Sequence, residues 1–93
     1  MCDNSRTQAY LPLLEAFDSD AFWSFCGEFS PCAAKSAKGF DEHERTDCVY
    51  DAFVKIFELA QYRLLPELTG AYVHGEVYLE AHRRRSLQKR RPN

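Results

Sequence analysis

Long apolar runs are missing from this chain. No stretch approaches the roughly 20 consecutive apolar residues that a membrane-spanning helix needs, so no span is expected within its 93 residues. The start, Met1 to Thr7, is polar, and the first apolar run, Tyr10 to Leu14, is short and broken by Pro12. That is not the pattern of a secretory leader, and an intracellular chain with reduced thiols is expected. The sequence also lacks the local signatures of common chemistry. It contains no Gly-x-Ser-x-Gly, no His-Glu-x-x-His and no phosphate-cradling Gly-x-x-x-x-Gly-Lys, which removes the best-marked hydrolase, metalloprotease and nucleotide-binding readings. Internal repeats and alternating strand patterns are missing as well.

Cysteine is present without metal-site spacing. Cys26, Cys32, His43 and Cys48 are the residues from which a zinc site would have to be assembled, yet five residues separate Cys26 from Cys32 and four separate His43 from Cys48. Two thiolates are usually brought to one tetrahedral ion by a two-residue spacer. Neither a metal nor another cofactor is expected. The histidines His43, His74 and His82 offer no local catalytic motif, and a non-enzymatic protein is expected. A cysteine meeting a distant histidine in space stays open, because such pairs form in the fold and not along the sequence.

What the chain does have is aromatic residues: seven Phe, five Tyr and one Trp. A domain this short folds only around a dense core, and large rings supply it. Phe22, Phe25, Phe29, Phe40, Tyr50, Phe53 and Phe57 are spaced for the buried faces of at least two helices. The expectation is a compact, all-α domain of about four helices, orthogonal or bundle-like, over residues 1–82, followed by a basic tail over 83–93.

A first helix capped by Asn4 or Ser5 is expected to run to about Phe17, with Pro12 in its first turn or the helix starting late. Asp18-Ser19-Asp20 offers a fresh cap for a second helix over about 20–30, ended by Pro31. The Ala, Ser and Lys-rich stretch to Gly39 reads as a connector. The longest helix begins near Asp41, where Asp41 and Glu44 stand in capping-box spacing, and Leu65-Pro66 forces its break. A last helix, broken or bent near Gly70 and Gly75, leads into the tail.

Charge divides along the chain. Residues 1–82 hold all 14 acidic groups and six of the 12 basic ones, a net −8, while residues 83–93 hold the other six (Arg83, Arg84, Arg85, Lys89, Arg90 and Arg91) and no acid. An acidic body repels nucleic-acid phosphate. The tail reads three ways: a solvated helix end, a nuclear-import or nucleic-acid patch, or a site for anionic lipid. Ser86 between its basic clusters is a candidate phosphorylation site that would lower its charge.

The apolar spacing resembles the BART domain, the helical domain of proteins that bind Arf-like small GTPases in their GTP-loaded form. The resemblance is carried by Tyr10-Leu11-Pro12-Leu13-Leu14-Glu15-Ala16-Phe17, then Asp20-Ala21-Phe22 with Phe29, then Phe40, Asp41 to Glu44, Tyr50, Phe53, Phe57 and Glu58, and finally Leu65-Pro66-Glu67. It covers roughly residues 10–79 as a pattern of spacing, with a longer connector between Phe29 and Phe40 and without the family's further helices. It implies a protein partner, an Arf-like GTPase, contacted through Leu13, Leu14 and Phe17 with Asp18, Asp20, Glu42 and Glu44 (and Asp41) as acidic neighbours. From the residues alone, the same three apolar side chains could instead belong to the core. The alternative function is a small helical scaffold whose tail binds nucleic acid or an import receptor. The cytosol is the expected location, with the nucleus indicated by the tail and the cilium by the resemblance.

Overall fold

The computed structural model describes residues 3–90, with side chains to Leu87. Among the described residues the chain is all-α, with α1 at Asn4–Glu15, α2 at Ser19–Ala33, a 3-10 turn at Ala34–Ser36, α3 at Glu42–Gln61 and α4 at Gly70–Arg90. No described helix is long and apolar enough to cross a membrane.

Each helix starts where a short polar side chain meets an orphan N–H of the first turn. The Asp3 carboxylate accepts from the Ser5 and Arg6 amides at 2.8 and 3.3 Å, so the first cap is Asp3 and not Asn4 or Ser5. Asp18 accepts from Ala21 at 3.0 Å, Asp41 from Glu44 at 2.8 Å, and the Thr69 hydroxyl from Tyr72 at 3.0 Å. α1 and α3 end alike. In α1 the Phe17 amide donates to Leu14 O and the Asp18 amide to Leu13 O, at 3.1 and 3.2 Å; in α3 Arg63 donates to Ala60 O and Leu64 to Leu59 O, both at 3.0 Å. This double bond pattern closes a helix around one left-handed residue, usually glycine. Here the residues are Phe17, φ 66°, and Arg63, φ 56°.

The prolines correct the expected boundaries. Pro12 lies in the ninth position of α1 and Pro31 lies inside α2. Both are exposed, so water can reach the carbonyl that each ring leaves without its helical partner, and neither helix stops there. α4 likewise runs unbroken from Gly70 past residue 83, across the expected boundary between domain and tail.

The core is one cluster, with Phe25, Phe53, Leu14, Ile56, Leu68, Val73 and Val77 its largest fully buried side chains. α3 is its centre and packs against every other helix. Val49, Ala52, Phe53, Ile56 and Ala60 follow the helical period on its buried face. The segment between α3 and α4 is tied down by α1: Thr7 donates to Leu68 O at 2.8 Å, Gln8 Oε1 accepts from Leu68 N at 2.7 Å, and Asn4 Oδ1 accepts from Gly70 N at 2.6 Å. On the far side, the wholly buried methyls of Ala33 and Ala37 bring the 3-10 turn up to α4.

Candidate functional site

The residues expected to bind a partner have different fates. Leu14 is fully buried, a correction to its reading as a contact residue; it lies on the inner stripe of α1 with Leu11. Leu13 and Phe17 are exposed, Phe17 at 68%. The Asp18 carboxylate caps α2, and Asp41 caps α3. Asp20 and Glu42 are exposed in the first turns of α2 and α3, and Glu44 is half-buried. Acidic groups there are favoured by the helix dipole whatever else they do.

Around Phe17 the fold assembles a surface of rings. Phe17 lies 5.7 Å from Phe57, Phe57 stacks on Phe22 at 4.7 Å, and Phe22 meets both Trp23 at 5.4 Å and Tyr50 at 6.3 Å. Trp23 and Tyr50 then stack on each other at 6.0 Å with planes 20° apart. Phe22 is buried and anchors the group, whereas Trp23 is 58% and Tyr50 43% exposed. The path runs from the α1–α2 corner along the seam of α2 and α3. Helical period explains it: Trp23 follows a core position on α2, and Tyr50 sits between the buried pairs Cys48-Val49 and Ala52-Phe53 on α3. Reading each helix by its buried stripe missed this face; the signal was Trp23 and Tyr50 standing beside core positions, as large apolar residues where polar ones usually lie.

Tyr50 also borders a cleft of about 450 Å³ between α2 and α3, floored by Cys26, Ala34, Val49 and Phe53 and rimmed by Glu42, Arg45 and Thr46. Arg45 Nε is buried at its edge with no hydrogen-bond partner. The apolar seam thus ends at a cationic group.

The basic segment is built into the domain over its first part. Arg84 pairs with Asp51 of α3 and, at 3.1 Å, with Glu80, and Arg83 meets Glu80 at 2.6 Å. These guanidinium groups hold the Glu80 carboxyl below its ordinary value. Arg85 lies over the Phe40 ring, 5.1 Å from its centroid. The expected tail therefore begins as a packed helix, because its arginines find acids and a ring on the neighbouring elements. The side chains of Lys89 and Arg90, and all of Arg91, lie outside the described residues.

Among the described residues, Cys32 and His74 meet in space. Cys32 Sγ lies 3.3 Å from His74 Nε2, and Ser36 Oγ lies 2.7 Å from His74 Nδ1. Burial and the charge of Lys35 keep the His74 imidazole below its ordinary pKa. Cys26 and Cys48 are free thiols like Cys32, and burial pushes Cys26 up to about 11 and Cys48 up as well.

The fold and its main surface define a small all-α domain with an exposed aromatic seam. No family model, curated protein or solved structure matches the chain.

Proposed function

We propose that the chain is a protein-binding module that receives its partner on the seam of Phe17, Trp23, Tyr50 and Phe57. The observation that carries this reading is Phe17. A non-glycine residue in the left-handed region costs about 1–2 kcal/mol, and glycine is the usual occupant of that helix-closing position. Phe17 holds it with its ring 68% exposed. The fold therefore bears a backbone cost to hold a ring in water at the end of the aromatic path, which a core role does not explain. Exposed Trp and Tyr beside it are the residue types that most often anchor interfaces.

The partner that fits has apolar anchors and a basic rim, since Asp20, Glu42 and Glu58 are exposed on α2 and α3 around the seam. The resemblance to the BART domain names an Arf-like small GTPase in its GTP form as that partner, with Leu13 of α1 and Phe17 of the α1–α2 corner the contacts. Capture of Arf-like GTPases loaded with GDP or with a non-hydrolysable GTP analogue tests it. Selective retention of the GTP form, lost on Trp23→Ser with helicity unchanged, is the expected result. Equal retention of both forms, or none by a folded sample, would sink the GTPase assignment.

A further inference from the structure

The Cys32, His74 and Ser36 cluster lies apart from the aromatic seam, and a second feature adjoins it. Ser36 lines an open pocket of about 450 Å³ together with Lys35, Lys38, Tyr78 and Arg85. Among the described residues no carboxylate lines this pocket, and none pairs with Lys35, Lys38 or Arg85. Three cations gathered without an acid, on a body carrying −8, make a local anion site. Arg85 is placed there over the Phe40 ring, and its guanidinium passes beside Gly39.

Helix geometry sets thiol and pocket side by side. Cys32 and Ser36 are four residues apart where α2 runs into the 3-10 turn, and His74 and Tyr78 are four apart on α4, so each pair spans one turn, about 6 Å. His74 meets both Cys32 and Ser36, and Ser36 lines the pocket with Tyr78 and the cations.

We propose that Cys32 is a thiol-exchange site for small disulfides bearing carboxylates, with the Lys35, Lys38 and Arg85 pocket holding the carboxylates. His74 Nδ1–H donates to Ser36 Oγ, which leaves Nε2 to accept the Cys32 proton. As the proton moves, Cys32 Sγ attacks one sulfur of the disulfide. A Cys32 Sγ–S bond forms and the incoming S–S bond breaks. The departing sulfur leaves with that bond's electron pair and takes the proton from His74. Cys32 is oxidised to a mixed disulfide and half of the incoming disulfide is reduced to a thiol. His74 is the base, with Ser36 as its orienting group.

The test reads the rate of modification at each cysteine, by peptide mapping, with 5,5′-dithiobis(2-nitrobenzoate), a dianionic disulfide, and with neutral 2,2′-dithiodipyridine. Cys32 is expected to react ahead of Cys2, Cys26 and Cys48. Lys38→Glu, an exposed substitution, should slow the dianionic reagent several-fold more than the neutral one, and His74→Gln should slow both by about tenfold or more. Reaction at Cys26, Cys48 or Cys2 as fast as at Cys32 would overturn the proposal. So would equal slowing of both reagents by Lys38→Glu, or an unchanged Cys32 rate in a folded His74→Gln variant.

Discussion

At the scale of single residues, three apolar side chains close in sequence have two fates that their types alone do not separate. Leu13, Leu14 and Phe17 all fit the apolar spacing of a helix, yet Leu14 is fully buried and the other two are exposed. Leu14→Asp is therefore expected to abolish folding, seen as loss of the helical circular dichroism signal, and not to act selectively on binding. Phe17→Gly should do the opposite. Glycine occupies φ 66° without penalty, so thermal or urea denaturation should show stability unchanged or raised by about 1 kcal/mol, while partner capture falls. A clear loss of stability would mean that the Phe17 ring contributes to the core through Phe57. In the core proper, Phe25→Ala should cost about 3–5 kcal/mol. The sequence marked Phe17 as a member of an apolar helix; its exposure depends on where the chain turns at Asp18, a property of the closing bonds to Leu13 and Leu14.

At the scale of elements, the helices and their order were legible because Phe22, Phe25 and Phe29, and Val49, Phe53 and Ile56, recur at helical spacing over long stretches. The ends were not. Proline is read as a stop because its ring removes a bond and crowds the preceding turn, but Pro12 and Pro31 face solvent and are carried within their helices. Each still lacks a backbone N–H to donate. Pro31→Ala should raise the unfolding free energy by up to about 3 kcal/mol, the difference between these residues inside a helix, and a fall would show that the ring at the edge of the α2–α3 cleft contributes packing. The cap at Asp41 was foreseen and is made, to the Glu44 amide; Asp41→Ala is expected to cost about 1 kcal/mol. The helix through residue 83 was hidden by composition, since a run of arginines reads as a tail until Asp51 and Glu80 are brought beside it.

At the scale of the whole molecule, an acidic chain is held partly by acids that have found bases. Arg6 lowers the Glu28 carboxyl from its ordinary value of 4.5, and Arg83 and Arg84 lower that of Glu80. A carboxyl depressed in the fold contributes stability above about pH 4.5, and that contribution is lost as pH falls through the depressed value. His74, depressed from 6.5, adds a loss of the same sign below pH 6.5, where the unfolded chain takes up the proton first. The melting temperature should thus fall modestly below pH 6.5 and more steeply below 4.5, with Glu80→Gln flattening the second step. The architecture around α3 was foreseeable from sequence as a four-helix, all-α domain. The aromatic seam was not, because it needs Phe17 of the α1–α2 corner, Trp23 of α2 and Tyr50 and Phe57 of α3 to be adjacent. Its role is tested most directly by comparing the intact chain with the Phe17→Gly, Trp23→Ser double variant in one binding titration against an Arf-like GTPase loaded with a non-hydrolysable GTP analogue, with circular dichroism on both. Saturable binding by the first and its loss in an equally helical variant is the result expected. Equal binding by the two would contradict the seam as the docking surface, and no binding by the intact, folded chain would contradict the GTPase as its partner.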